Sequence, residues 1–563
     1  MVAPANKRSL SAMRPILAAL DAAEEARSRR WLSGRLALLP DRWSAFVAAE
    51  HARRGGLASP VANAWLGDVT AAGEGRVPLS AGDGELRALA KRCAKEARAA
   101  SIGLVASDTS IDVVMARGDA VGRAGAECVC REWGVEPPRC AHDGPAVARM
   151  GCPVWWLRRL RRAHGRRAEG AAIGGGVVRR GLWPYASQDA IERRAAQKAR
   201  NAKAVENAVI ECERYGEQMA LAEVIAGSVA NPANKRIELM TRVRACDAMA
   251  HDSGAACEFW TVTCPSRFHA QRVTGAVAEP NPAYDGSTPG QAQAYICKVW
   301  ARARAAWERR GLAVWGLRTA EPHHDGCPHW HIVAYGPRRD LRFARRLLWV
   351  YALRDMPDEA GARKHRLTVL TARGAIGARY AAKYVAKNID GANMGGERDM
   401  ESGRKVSHAV KRVDAWAATW GIRQFQFFGA APVTAWRVLR RVPGPAGNKL
   451  LERARQAADD GDFAEYWRCW LRGKFKLLRE AGSKLTQYGD AAAARVIGVA
   501  HGAAWALLEV KEWVIHWGGR KGAAVFAFPR SGVNNCTRRA VSAIEDAALA
   551  VFGIGGCDRR LRL

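Results

Sequence analysis

The chain has 563 residues, 48% hydrophobic and 25% charged, a composition typical of globular proteins with ample material for a core. Its 88 lysines and arginines against 55 aspartates and glutamates give a net charge of +33, which favours a polyanionic partner, nucleic acid before an anionic membrane surface. No run of 18 apolar residues is free of charge, and the motif G-x-x-x-x-G-K-[ST] does not occur. Neither a membrane-spanning helix nor an ATP-driven motor is therefore expected.

The N-terminal apolar run ends at Asp21, which is too early for a secretory signal. Fourteen cysteines in so long a chain do not make a dense disulfide framework. A reducing cytoplasm is therefore the expected compartment.

In chain order, the periodicity of apolar residues predicts an α+β domain between helical, basic flanks. The central domain has strand-like runs at 259–263, 313–319 and 329–335, with helical patterns at 290–311 and 376–388. We expect five regions: a helical N-terminal region (1–120), a cysteine-containing basic module (121–180), a helical connector (181–250), the α+β domain (251–445) and a helical C-terminal region (446–563).

The basic module carries four cysteines that could form a structural zinc site. Their spacing lacks a C-x-x-C pair, and cysteine is also among the most frequently buried residues, so ordinary burial stays an open alternative. The candidate ligands are Cys128, Cys130, Cys140 and Cys152.

Two histidines separated by one residue are the most informative feature of the central domain. On a strand, His329 and His331 project from the same face and can chelate one divalent ion. Glu321, which precedes the intervening loop, could supply an oxygen ligand. Such a set suits Mg²⁺ or Mn²⁺ in phosphate chemistry and could also hold Zn²⁺, whereas two ordinary strand histidines remain the alternative.

A pair of tyrosines lies about fifty residues further along. On a helix, Tyr380, Lys383, Tyr384 and Lys387 share one face. A phenol, with a pKa of about 10, is a poor nucleophile near neutrality, but neighbouring lysine charges and a polarised phosphate favour the phenolate. The alternative is that one tyrosine packs in the core and the lysines are simply solvated. The presence of the histidine pair in the same, very basic chain favours catalysis.

Three segments in this order resemble the bacteriophage replication gene A protein family, rolling-circle initiator endonucleases of the HUH superfamily. They are FWTVTCPSRFHA (259–270), EPHHDGCPHWHIVAY (321–335) and YAAKYVAKNIDG (380–391). The neighbouring segments 231–244 and 415–441 agree with the same family. The resemblance covers residues from about 125 to 445. It implies an α+β fold with a five-stranded antiparallel sheet of the ferredoxin or RRM-like type. The histidine pair would lie on a central strand, and the tyrosine helix would cross the face that carries it.

The resemblance also implies roles for the two constellations. His329 and His331 match the metal-binding histidines, with Glu321 as the third ligand by position, and one Mg²⁺ or Mn²⁺ is the expected ion. Tyr380 and Tyr384 match the nucleophiles, and Lys383 and Lys387 the basic residues beside them. The implied reaction is site-specific nicking of one origin strand by transesterification, which leaves a 5′-phosphotyrosyl link and a free 3′-OH and is later reversed by rejoining.

The implied partners are single-stranded or locally melted origin DNA, a host helicase and a host DNA polymerase, in the cytoplasm of a bacterial host and without a membrane. Two rivals remain: an HUH relaxase or transposase, and a non-catalytic basic DNA-binding protein. Stacking of bases and contact with phosphates favour exposed aromatic and basic residues as the DNA contacts. The candidates are Arg267, Arg338, Arg339, Arg342, Trp416 and Trp420.

Overall fold

The computed structural model describes most of the chain, and the part described has an α+β fold. The described residues are 7–107, 111–212, 215–274, 277–372, 389, 406–482, 485–509, 511 and 513–517. The predicted nucleophiles and their lysines, Tyr380, Lys383, Tyr384 and Lys387, lie outside them. None of the helices among the described residues combines the length and the apolar character that crossing a membrane requires.

The helices account for most of the regular structure. In chain order they are α1 Lys7–Leu36, α2 Asp41–Arg53, α3 Pro60–Ala71, α4 Asp83–Ser107, α5 Ile111–Glu132, α6 Asp143–Met150, α7 Pro153–Gly174, α8 Gln188–Glu206, α9 Leu221–Ala226, α10 Pro232–Ser253, α11 Pro289–Arg309, α12 Arg338–Ala352, α13 Ala362–His365, α14 Val406–Trp420, α15 Val433–Leu439, α16 Lys449–Asp460 and α17 Phe463–Gly473.

The strands are short and, as described, all pair antiparallel. In chain order they are β1 Ala208–Cys212, β2 Gln218–Ala220, β3 Ala256–Val262, β4 Gln271–Thr274, β5 Val277–Pro280, β6 Trp315–Pro322, β7 Pro328–Gly336, β8 Leu367–Ala372, β9 Phe425–Phe428, β10 Lys476–Glu480, β11 Arg495–His501, β12 Ala504–Leu507 and β13 Trp513–Trp517.

Contacts within the chain divide it into two compact units. The first comprises Met1–Trp183, Ala270–Pro282 and Gln487–Asp490, and the second comprises Pro184–His269, Ala283–Thr486 and Ala491–Leu563. This division differs from the five predicted regions. Two of the predicted boundaries also fall inside helices, since α5 runs through residue 120 and α10 through residue 250. The C-terminal region is also less helical than expected: after α17 it forms β10 to β13, whose β-branched and aromatic residues favour strands.

The first unit is built from helices that pack through small side chains. On α4, Ala90, Cys93, Ala94 and Ala97 recur at three-and-four spacing and are buried. Together with buried residues of α5 and α6 they form one core with Trp156 of α7. Apolar residues on one face of each helix thus explain why this unit forms, as the periodicity predicts.

The second unit contains a five-stranded antiparallel sheet in the order β8-β3-β7-β6-β9. The central strand β7 is buried along nearly its whole length, which fits the continuous apolar run between its histidines and Tyr335. One sheet face packs against α11 and α12, where the Trp260 and Trp307 ring centroids lie 6.1 Å apart. The sheet and its central histidine strand match the expectation, and the HUH assignment stays a prediction.

The other face of the sheet carries the histidines at one end and a packed core at the other. Val333 and Tyr335 of β7 lie in this core with residues of α10 and of α15 to α17. The Tyr335 hydroxyl donates a 2.6 Å hydrogen bond to Asp247 of α10, and Trp315 of β6 meets Trp467 of α17 with ring centroids 6.2 Å apart. Residues after 446 therefore share the core of the sheet, and do not form a separate region.

Candidate metal and catalytic site

A tight hairpin between β6 and β7 positions the candidate ligands. Pro322 pairs with Pro328, and Glu321 with His329, on either side of the loop 323–327. Within the loop, the His323 amide donates to the Cys327 carbonyl at 2.7 Å, and the Gly326 amide donates to the His323 carbonyl at 2.8 Å. Gly326 has a φ of 85°, a conformation that glycine adopts at little cost. The loop closure thus fixes Glu321 opposite His329.

Glu321, His329 and His331 converge on the same face of the sheet. The two Nε2 atoms of the histidines lie 2.9 Å apart, and His331 Nε2 lies 3.8 Å from a carboxylate oxygen of Glu321. One ligand atom from each residue lies within 4.8 Å of the others, and within the described ranges this is the one such group of three or more histidine, cysteine or carboxylate side chains. The geometry therefore brings together the three residues that the sequence singles out as metal ligands.

The residues present fit a divalent ion. Two nitrogens bound to one ion at about 2.1 Å and at right angles lie about 3 Å apart, close to the observed 2.9 Å. The carboxylate of Glu321 is buried, at 2% exposure, and so is His329, at 4%. A buried carboxylate facing two imidazoles is costly unless a cation compensates it, so the donor set itself favours an ion.

Neighbouring strands orient the ring of His331. Its Nδ1 is hydrogen-bonded to the hydroxyl of Thr261 on β3 at 3.1 Å. The ring also stacks on Phe259, with centroids 5.4 Å apart and planes 18° from parallel. The tautomer that donates from Nδ1 to Thr261 presents its Nε2 lone pair to an ion, so these contacts set the direction of the ligand.

Further histidines and a carboxylate extend the cluster beyond the predicted ligands. The ring of His323 lies 4.0 Å from that of His329, and His269 Nδ1 lies 3.2 Å from a carboxylate oxygen of Asp325. Burial alone raises the pKa of Asp325, but the charge and hydrogen bond of His269, with smaller effects of His324 and His323, hold it well below its usual range. Asp325 also accepts the Cys327 amide at 3.0 Å, so a carboxylate braces the loop.

Comparison with known proteins shows which family the chain resembles. Residues 136–392 match the family model of the bacteriophage replication gene A protein. Over 362 residues the chain is 35% identical to the replication gene A protein of Escherichia phage 186, an alignment that covers 62% of this chain and 52% of that protein. Over these residues the chain is similar to the bacteriophage replication gene A proteins. The family inferred from the three motifs is thus confirmed.

Other relatives have the same kind of name. The replication gene A protein of Escherichia phage P2 is 35% identical over 334 residues, 57% of this chain and 44% of that protein. A probable replication endonuclease from a prophage-like region of Salmonella paratyphi A is 33% identical over 341 residues, 57% of this chain and 42% of that protein. The chain spans about half the length of these curated relatives. No solved structure matches it significantly.

The predicted DNA contacts do not form one exposed surface beside the histidines. Arg267 forms ion pairs with Asp355 at 2.8 Å and Asp285 at 2.6 Å, and its hydrogen bond to Asp355 raises the pKa of its guanidinium. Trp416 and Trp420 are buried, at 0% and 6% exposure, which contradicts their expected role in stacking bases. The Trp416 indole instead donates to the Gly326 carbonyl at 2.8 Å and so supports the hairpin loop.

The three arginines of α12 are exposed as expected, but on the opposite side of the sheet. Arg345 of the same helix pairs with Glu258 at 2.7 Å, and Glu258 accepts the Trp260 indole N–H on the face away from the histidines. That these arginines contact DNA stays a prediction: Arg338, Arg339 and Arg342.

The four cysteines of the basic module are not brought together as a zinc site. Cys128 and Cys130 lie two residues apart on α5, so their side chains point to different sides, and Cys128 is exposed while Cys130 is buried in the core. Burial raises the pKa of Cys130 to about 12, which opposes the thiolate that zinc requires. Cys140 accepts from Arg149 at 3.3 Å, and Cys152 from the Tyr488 hydroxyl at 3.6 Å.

Residues that sequence reasoning missed are those whose role depends on the loop. Asp325 and His323 lie between two strands, where no periodicity applies, and Thr261 falls in the predicted strand run 259–263 with no titratable group to mark it. The sequence signal for these residues is the run His-His-Asp-Gly just before the histidine strand. Titratable residues beside a tight glycine turn lie close to the first residues of the next strand, which here are the candidate ligands.

Proposed function

We propose that this chain initiates phage-type DNA replication by nicking one strand of an origin. The observation that carries the proposal is the convergence of Glu321 on β6 with His329 and His331 on the central strand β7. The names of its relatives, replication gene A protein and probable replication endonuclease, support the same activity. On this proposal the core is an HUH endonuclease of rolling-circle type.

Glu321, His329 and His331 would hold one Mg²⁺ or Mn²⁺. Such an ion supplies positive charge to the non-bridging oxygens of a phosphodiester and so favours attack at phosphorus. Thr261 and Phe259 keep the His331 ring in its ligating orientation, and Asp325 keeps the loop closed. The described residues therefore act by binding and orienting.

Cleavage itself is proposed for the two tyrosines. The oxygen of Tyr380 or Tyr384 gives up its proton and attacks the scissile phosphorus, the bond to the 3′ oxygen breaks, and that oxygen takes up a proton. The products are a 5′-phosphotyrosyl link and a 3′-OH, and reversal by an incoming 3′-OH rejoins the strand. The positive charges of Lys383 and Lys387 favour the phenolate. The ester conserves the bond energy, so rejoining requires no nucleotide cofactor.

Connectivity supports this role for the tyrosines. Thr368 on β8 stands in one cross-strand row with Thr261 and His331. The strand runs on from there to Ala372, a distance of about 13 Å at 3.3 Å per residue. The seven residues between Ala372 and Tyr380 make eight steps, which span up to about 27 Å when extended, so the chain is long enough to return over that distance.

Strand opening and extension are proposed to be the work of a host helicase and a host DNA polymerase, because the sequence carries no nucleotide-binding P-loop motif. The substrate would then be single-stranded or locally melted origin DNA. The same chemistry could serve a relaxase or transposase, but the replication names of the relatives favour initiation. The convergence of Glu321, His329 and His331 likewise favours catalysis over a non-catalytic role.

The decisive experiment is the detection of a covalent adduct. Full-length protein is incubated with Mn²⁺ or Mg²⁺ and single-stranded oligonucleotides that tile the DNA around its own gene and are labelled at the 3′ end, and is then run on a denaturing gel. The proposal predicts a labelled band at the mass of the protein that protease digestion removes. If no oligonucleotide of either strand gives such a band, the proposal is wrong.

A further inference from the structure

The outward face of α7 in the first unit carries a row of arginines. At 100° per residue, Arg158, Arg159, Arg162 and Arg166 fall within an arc of about 100°, and they extend along about 12 Å of the helix. Arg158, Arg162 and Arg166 are exposed, and Arg159 is half-buried with its guanidinium 5.4 Å from the Trp155 ring centroid. The arginine row is thus a continuous feature of one helix face.

The rest of the helix is committed to the interior of its unit. Trp156, Leu160 and Ala168 are buried, with exposures of 0%, 4% and 0%. The Trp156 indole donates to the Met150 carbonyl at 2.6 Å. The row therefore stands on a helix that is anchored along its opposite side, which keeps the spacing of its charges fixed.

Two further arginines of α7 have partners within the first unit. Arg161 forms a bidentate ion pair with Asp83, with nitrogen–oxygen distances of 2.7 and 2.9 Å. Arg167 donates to the carbonyl of Val77. These contacts hold the helix to its own unit, so they differ in kind from the row.

Three arginines of the row, in contrast, have no carboxylate partner among the residues that the structure describes. Within the described part of the chain, no ion pair with an aspartate or glutamate is found for Arg158, Arg159 or Arg162. The helix has one acidic residue, Glu169, which lies one turn beyond Arg166 on the same side but is buried at 0% exposure. The positive charges of these three arginines are therefore not neutralised by a paired carboxylate.

The electrostatics of the row agree with its geometry. Burial lowers the pKa of Arg159, and the charge of Arg162 lowers it further. Partial burial of the guanidinium and the charge of Arg162, in that order, also lower the pKa of Arg166, although the residue as a whole is exposed. Like charges held this close repel one another, and a polyanion lying across them would relieve that repulsion.

We propose that the arginine row binds the phosphodiester backbone of duplex DNA and gives this chain a second DNA contact, independent of the histidine site. Duplex DNA carries one negative charge per about 1.7 Å of axis, so a row of about 12 Å faces several phosphates. Guanidinium groups suit this contact because they bond phosphate oxygens in pairs.

The surroundings of the row favour a duplex over a single strand. Grooves for single strands offer exposed aromatic rings on which bases stack. The tryptophans of α7, Trp155 and Trp156, are 7% and 0% exposed, so they offer no such ring. The contact is therefore to the backbone, and it carries no sequence preference of its own.

The test measures duplex binding by the full chain. The variant combines Arg158→Gln, Arg159→Gln and Arg162→Gln, and the control combines Arg27→Gln, Arg30→Gln and Lys95→Gln, three exposed residues of the same unit with the same change in charge. Affinity for a fluorescent duplex is measured by anisotropy at several salt concentrations. We expect the row variant to lose roughly tenfold or more at low salt and the slope of log K against log salt to fall by about 3, with the control within about twofold of the parent.

Two further measurements keep the result interpretable. Arg162→Gln alone, at an exposed position, should lower the slope by about 1 without disturbing the fold. Covalent adduct formation on single-stranded oligonucleotides should persist in the row variant, so failure of the row and failure of the nicking proposal are distinguishable. Duplex binding equal to the parent, an equal loss in the control, or loss of binding to phosphatidylserine vesicles in place of the duplex would each overturn the inference.

Discussion

The hydroxyl of Thr261 lies 3.1 Å from Nδ1 of His331, so the strand next to the histidine strand determines which ring nitrogen faces Glu321. The relationship exists because Thr261 and His331 pair directly in the antiparallel register of β3 and β7. A metal ligand is thereby oriented by a residue that would not touch the ion.

Replacing this threonine tests the orientation directly. Thr261→Val keeps the shape of the side chain but removes the hydrogen bond, and the His331 ring should lose its preferred tautomer. We expect the affinity for Mn²⁺, measured by isothermal calorimetry, to weaken roughly tenfold. Thr368→Val, in the same cross-strand row but on the far side of β3, is the matched control and should bind Mn²⁺ as the parent does.

Removing a ligand should separate cleavage from binding. His329→Ala, or chelation of the ion by EDTA, is expected to lower cleavage of single-stranded DNA roughly 100-fold or more while DNA affinity changes by no more than about twofold. The control is His251→Ala, whose side chain is 92% exposed. Cleavage by His329→Ala at the parent rate would contradict the assignment of the site.

The tyrosine pair is tested by the adduct that it should form. Tyr380→Phe together with Tyr384→Phe removes both phenolic oxygens, so the covalent protein–DNA band on a denaturing gel should disappear. Either single change should leave some adduct, because the other phenol remains. Tyr215→Phe, at an exposed tyrosine, is the control and should leave the band intact. An undiminished band from the double variant would assign the nucleophile elsewhere.

The stability of the second unit should depend on pH through Glu452 at the start of α16. Hydrogen bonds from Arg455 at 2.8 and 2.9 Å and from the Ala446 amide at 2.7 Å outweigh its burial and lower the pKa of Glu452 to about 2. Because the pKa is lower in the folded state, this contribution is present above the unfolded value of about 4.3 and is lost as pH falls towards about 2.

The corresponding change is Glu452→Gln. Urea unfolding followed by tryptophan fluorescence should show about 1–2 kcal/mol less stability at neutral pH, and the difference should shrink below about pH 4. Glu480→Gln breaks a half-exposed ion pair with Arg495 and should have little effect at any pH. A loss for Glu452→Gln that is the same at both pH values would exclude the charge as its cause.

The parts of the site that follow a local period could be predicted. Strand alternation places His329 and His331 on one face, and the hairpin register brings Glu321 opposite the first of them. The burial of Trp416 could not be predicted from a local period. Whether an aromatic residue on a helix is buried in the core or exposed to bind a ligand depends on what packs beside it. Here the loop carbonyl of Gly326 takes the indole N–H.

Long-range pairing explains the errors in the outline of the fold. The strand β1 lies in a region predicted to be a helical connector, and it pairs with β13 near the other end of the described chain. A strand with a distant partner has too weak a local signal to be found from a short window of sequence. The predicted boundary after 445 failed for a related reason, since α16 and α17 complete the core beneath the sheet.

The three candidate ligands all come from one hairpin whose strands are adjacent in sequence. Closing such a short loop costs little chain entropy, so the ligands reach their mutual geometry through a contact of very low sequence separation. The sheet that surrounds them needs strands from Ala256 to Phe428. As the chain emerges from the ribosome, the donor set is complete while a large part of its scaffold has yet to be synthesised.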